Sequence, residues 1–136
     1  MKKALVPLIV VLIIAAVIGF AIMPSTPQAS QKLQSEITEA LSSGKTVFLQ
    51  LSSSGCVTCR KMKPGVEQIM ADYANSSEFM VLNIDVDSHT SIASQYGVSA
   101  VPTQVLLAPS GKEVFRNMGY MSYDNIKYVM ASTPTK

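Results

Sequence analysis

Ser54-Gly55-Cys56-Val57-Thr58-Cys59-Arg60-Lys61-Met62-Lys63-Pro64 contains the only two cysteines of the 136-residue chain. Just before it, Thr46 to Leu51 is β-branched and apolar, the look of a buried strand. After it, Met62, Val66, Ile69, Met70 and Tyr73 recur at helical spacing. A helix is therefore expected from near the cysteines to about Ala74, kinked at Pro64. The pair thus stands where a strand hands over to a helix. A helix N-terminus presents unpaired backbone N–H groups and a partial positive charge, which stabilise a thiolate and lower its pKa. Cys56 is the expected nucleophile. Cys59, one turn further on and less exposed, is the expected resolving thiol. Arg60, Lys61 and Lys63 add positive charge nearby.

Other chemistries use the same spacing. A zinc site needs about four ligands, and the chain offers two cysteines and one histidine, His89, which is remote in sequence and expected at the surface with no special role. Covalent haem attachment requires a histidine after the second cysteine, and Arg60 stands there. A purely structural disulfide closing so short a loop would constrain the unfolded chain little. Thiol–disulfide exchange is the favoured reading, with no metal and no cofactor, while the metal and structural readings stay open behind it.

The start of the chain has a different character. From Ala4 to Met23 every residue is apolar, Gly or Pro, and 20 such residues as a helix span about 30 Å, the hydrocarbon thickness of a bilayer. Lys2 and Lys3 precede the run, and no clear small-residue cleavage site follows it. The expectation is a basic cytoplasmic segment at 1–3, a transmembrane anchor at 4–23 with a cleaved signal peptide as the alternative, a Pro-containing linker at 24–30, and one domain at 31–136. The positive-inside rule then places that domain outside the cytoplasm. Setting aside Lys2 and Lys3 before the anchor, 9 of the 11 basic residues remain against 9 acidic ones. Nothing in that balance suggests a nucleic-acid surface.

Within the domain the two periodicities alternate. Leu33, Ile37, Ala40 and Leu41 share a helical face that Gly44 can end. Phe79 to Val86 reads as a second buried strand, Ser88 to Tyr96 as a short helix stopped by Gly97, and Thr103 to Leu107 as a strand. Pro109-Ser110-Gly111-Lys112 is a turn and Glu113 to Met118 its hairpin partner. A last helix carries Ile126, Val129 and Met130, and Ser132 to Lys136 reads as a frayed tail. This order predicts an α/β domain with a central mixed β-sheet flanked by helices.

From about Val47 to Met130 the chain resembles the thioredoxin family. The resemblance rests on Cys56-Val57-Thr58-Cys59 followed by Arg60 and Pro64, and on Leu82-Asn83-Ile84-Asp85-Val86-Asp87, which looks like the family's central strand. It rests also on Tyr96-Gly97-Val98-Ser99-Ala100-Val101-Pro102-Thr103 and on Gly111-Lys112 followed by Gly119. It implies a thioredoxin-like fold with a cis Val101-Pro102 bond packed opposite the dithiol, and a bound client strand paired to the backbone beside it. Gly55, Val57, Thr58, Val101, Pro102 and Gly119 are then expected at the client surface. The sequence departs from the family pattern in four places. Gly55 replaces the usual tryptophan, Val57-Thr58 replaces Gly-Pro, Gln50 replaces a buried aspartate, and Val81 replaces its lysine partner. Losing both charges together is coherent, since either alone would be costly to bury. It also removes the family's proton acceptor for Cys59, which leaves Gln50 and Arg60 as the candidates for tuning the thiols.

The function expected is disulfide reduction in client proteins, apocytochromes awaiting haem among them, with re-reduction by an integral membrane thiol-transfer partner. Two alternatives stand beside it: an oxidase or isomerase of the same fold, and a client-binding chaperone module with little redox turnover.

Overall fold

The computed structural model describes residues 28–133. Segment 1–3, the predicted anchor and residues 24–27 of the predicted linker lie outside the described residues, as do 134–136. Among the described residues no helix is long and apolar enough to cross a membrane.

The elements follow in the order α1 (Gln28–Ser42), β1 (Thr46–Ser52), α2 (Val57–Asp72), β2 (Phe79–Asp85), α3 (Thr90–Gln95), β3 (Thr103–Leu107), β4 (Glu113–Met118) and α4 (Tyr123–Ser132). The strands form one sheet in the order β2-β1-β3-β4. β1 runs parallel to β2 and antiparallel to β3, and β3 and β4 form the antiparallel hairpin. The predicted mixed sheet between helices is what forms.

β1 is buried along nearly its whole length because both of its faces are covered. Side chains alternate across a strand, so Val47, Leu49 and Leu51 join Ile37 and Ala40 of α1, Ile92 of α3, and Ile84, Val105 and Leu107 in one core layer. On the opposite face Phe48 packs with Met62, Val66 and Ile69 of α2, Ile126 and Met130 of α4, and Leu106. Both helices that precede a turn on the first face end the same way. Gly44 and Gly97 take positive φ (87° and 59°), and the next amides, of Lys45 and Val98, reach back to the carbonyls of Ala40 and Ala93 at 3.0 and 2.8 Å. Glycine is favoured there because a Cβ would be strained at that φ.

The structure corrects four expectations. α1 begins at Gln28, inside the stretch assigned to the linker. Ser30 is buried there, and its hydroxyl is hydrogen-bonded to Nδ1 of His89 at 3.1 Å. His89 is correspondingly half-buried and stands as the N-cap of α3, so it has a structural role. β2 is neither fully buried nor central: most of its residues are partly exposed, and β1 is its sole partner among the described strands. An apolar run such as Phe79-Met80-Val81-Leu82 looks the same whether one side or both sides of the strand are paired. Finally, Ser132 belongs to α4, and the Thr133 hydroxyl donates to the carbonyl of Val129 at 2.8 Å, so the expected fray does not begin at Ser132.

Candidate functional site

Cys56 is the N-cap of α2, with extended backbone (φ −84°, ψ 115°). The first helical N–H groups have no partner within the helix. One of them, on Cys59, donates to Sγ of Cys56 at 3.1 Å. The sulfur therefore sits where a capping oxygen usually does, at the positive end of the helix dipole. That position favours the thiolate when the pair is reduced.

Cys56 and Cys59 are joined in a disulfide. Cys56 is half-buried, while Cys59 is only 7% exposed beneath it. Cys59 is thus the less exposed of the two, as its place one turn into the helix implied. The Val101-Pro102 peptide is cis, and the carbonyl oxygen of Val101 lies 3.7 Å from Sγ of Cys56. The strand-start loop thus faces the reacting sulfur directly. The N–H of Gly119 donates to the carbonyl of Pro102 at 2.8 Å, which ties the far side of the hairpin to the same loop. Val57, 57% exposed, projects beside the dithiol. Gly55 is exposed and Thr58 half-buried on the same turn.

Of the two predicted tuning residues, Arg60 turns back from the helix. Its guanidinium donates to the carbonyl of Ser54 at 3.0 Å, bracing the loop that delivers Cys56. As an exposed charge it is largely screened by solvent. Gln50 is 1% exposed. It lines, with Cys59, a pocket of about 360 Å³ beneath the dithiol, whose other walls include Ser52, Ser53, Ser54, Arg60, Lys63, Asn83 and Asp85. Val81, in place of the usual lysine, packs against the apolar layer under α2.

Two site residues were not found from sequence. Gln104 and Asn117 stand in register with Gln50, since Gln50 pairs with Gln104 across β1 and β3, and Gln104 with Asn117 across β3 and β4. Gln50 also pairs with Asn83 of β2. Four amides therefore form one rung across the whole sheet. Nε2 of Gln104 donates to Oε1 of Gln50 at 3.1 Å and to the carbonyl of Gly119 at 3.3 Å. Nδ2 of Asn117 donates to Oε1 of Gln104 at 2.6 Å. Buried amides need such partners, because each unpaired one would lose its hydration without compensation. The available signal was a single amide interrupting each of the apolar strands Thr46–Leu51 and Thr103–Leu107.

Comparison with known proteins agrees with this geometry. Residues 33–133 match a family described as a thioredoxin-like domain. A thioredoxin of Chlorobaculum thiosulfatiphilum is 34% identical over 82 residues, covering 60% of this chain and 73% of that protein. The chloroplastic thioredoxin-like protein HCF164 of Oryza sativa subsp. japonica is 27% identical over 101 residues, 71% of this chain but only 38% of that protein. Among solved structures, thioredoxin NaTrxh of Nicotiana alata superposes with a TM-score of 0.64 at 28% identity, covering 74% of this chain and 84% of that one. A capped, disulfide-forming Cys-x-x-Cys pair facing a cis-proline loop, within a match of this extent, makes the chain a member of the thioredoxin-like family and a thiol–disulfide oxidoreductase.

Proposed function

We propose that this protein is a membrane-anchored reductase working outside the cytoplasm, which reduces disulfides of client proteins and is itself re-reduced by an integral membrane thiol-transfer partner. One observation carries the location: an unbroken apolar run from Ala4 to Met23 behind Lys2 and Lys3, joined by a few residues to a redox domain. In the working cycle the Cys56 thiolate attacks a client sulfur, forming a mixed disulfide and expelling the second client sulfur as a thiolate. Cys59 loses its proton and attacks Cys56, and the client leaves with both sulfurs reduced. The client strand lies along Val101 and Pro102, between the turn Gly55-Cys56-Val57-Thr58 and Gly119. Exposed Met118 and Tyr120 (61% and 60%) supply apolar contact on either side of Gly119.

The reduction potential of the Cys56–Cys59 couple tests the direction. A value near about −270 mV is expected, and one near about −120 mV would establish an oxidase instead. A Cys59→Ser variant of the full chain tests the chemistry in cells. Client proteins should accumulate as mixed disulfides on Cys56, on the side of the membrane reached by an impermeant maleimide. Clients held without a disulfide would favour a chaperone module.

A further inference from the structure

The resolving step requires the buried thiol of Cys59 to lose a proton, and Gln50, which lies beside it, is unsuited to take one. An amide is not a base at working pH. Its orientation is also fixed by the rung: Oε1 of Gln50 already accepts from Gln104, which Asn117 holds in turn. The Nε2 end of Gln50 is left for the pocket, where it can only donate. That end stabilises a sulfur anion without receiving its proton.

Three elements wall the pocket, and two of them bring charge to it. α2 contributes Arg60 and Lys63, the latter paired with Glu67. β1 contributes no charge, only Gln50 and Ser52. β2 contributes Asp85, and Asp87 just beyond it is held by the hydroxyl of Ser53 at 2.6 Å. Asp85 is therefore the one carboxylate in the pocket wall. Its Oδ1 accepts from the N–H of Asp87 at 2.9 Å, which fixes the side chain in the pocket wall with Oδ2 still able to accept. At about 360 Å³ the pocket far exceeds the roughly 10–15 Å³ that one water needs, and its polar walls offer that water partners.

We infer that Asp85 is the proton acceptor for Cys59, reached through water in the pocket under the dithiol. In the mixed-disulfide state the Cys59 S–H proton passes through water to the Asp85 carboxylate. The sulfur anion attacks Sγ of Cys56, the Cys56–Cys59 bond forms, and the bond from Cys56 to the client sulfur breaks. The departing client thiolate then takes a proton from solvent, and Asp85 returns its own to solvent. A carboxylate two residues along β2 from Asn83 thus does what a buried aspartate at position 50 would otherwise do. This inference rests on exchange chemistry at the dithiol and holds whichever way electrons flow.

The test follows the reduced full chain in detergent as it reacts with an aromatic disulfide whose thiolate is coloured. The first thiolate released reports attack by Cys56, and the second reports resolution by Cys59. With Asp85→Asn the first release should be unchanged and the second slowed about tenfold at pH 6.5. That is less than the roughly 10²–10⁴ of directly bonded bases, because the transfer runs through water. The gap should close towards pH 9, where hydroxide removes the proton unaided, and Asp85→Glu should keep most of the wild-type rate. The sign is decisive. If Asp85 were only a negative charge near the thiol, removing it would favour the thiolate and speed the second release. Acceleration, no change, or equal slowing at every pH would each overturn the inference. Loss of the first release in the wild-type chain would overturn the oxidoreductase reading itself, whereas an oxidising potential would revise only the direction.

Discussion

The two faces of β1 differ by one residue in the sequence and by their whole purpose in the molecule. Leu49 points into the layer under α1 and α3, where it packs in an apolar cluster with Ile37, Ile84, Ile92 and Val105. Gln50, the next residue, points under α2, where the apolar layer of Phe48, Met62 and Val66 gives way to a rung of amides and then to the pocket below Cys59. A polar group in a core forfeits stability unless it is fully paired. Placing the amide rung on one face confines its cost to the side that carries the chemistry. The other face is otherwise an ordinary core, its buried Ser30 and Thr103 each paired by a hydrogen bond.

Substitution can break this contrast at each side. Leu49→Ala should destabilise the fold by roughly 2–5 kcal/mol through lost burial and a cavity, read as a lowered denaturation midpoint. The rate of Cys56 attack should be unchanged at temperatures where the variant stays folded. Gln104→Leu should cost less, roughly 1–3 kcal/mol, by stripping Oε1 of Gln50 and Nδ2 of Asn117 of a partner. Unlike the first variant, it should also alter the exchange rate, because the rung fixes Gln50 in the pocket and meets the Gly119 carbonyl at the loop facing Cys56. A variant that lost stability but kept wild-type exchange would mean that the rung only holds the sheet together.

The smallest expected effect lies on the exposed side of the hairpin. The hydrogen bond from Arg116 holds the Glu113 carboxyl below its ordinary value of 4.5. A depressed acid contributes stability that is present above the unfolded value and lost as pH falls through the folded one. Glu113→Gln should therefore remove a small acid-side slope in stability below about pH 4.5 and change nothing near neutrality. The pair is largely exposed, so the effect should weaken further in salt. It bears on neither face of β1, and the exchange rate should not respond.

How much of this could be read from sequence depended on whether the signal was local. The strand ending in Leu51, the helix carrying Met62, Val66 and Ile69, and the turn at Gly111 are each written in consecutive residues, and they formed where expected. The capping position of Cys56 was legible for the same reason. Register between strands was not. That Gln50, Gln104 and Asn117 would align, or that Asp85 would share a pocket with Cys59, depends on relations between distant residues, such as the pairing of Gln50 with Gln104, 54 positions on. β2 was misplaced as a buried, central strand for a related reason, since an apolar run does not say how many neighbours it will have. His89, unremarkable in its own surroundings, gained a role only from Ser30, 59 residues earlier.

The Ser30–His89 bond also fixes where the chain enters the domain. α1 starts beside the N-cap of α3 and leads into β1, whose far end delivers the loop to Cys56. His89 follows β2, which runs parallel to β1 and ends beside it at Ser52 and Asp85. The chain therefore enters the domain at the same pole of the sheet that carries the dithiol. Four residues, 24–27, separate the predicted anchor from Gln28 and span at most about 14 Å. Anchored as proposed, on so short a leash the domain would hang from its active pole. The sulfur pair would then face the surface that holds it, within reach of a partner embedded there, and a free client would have to approach along that surface.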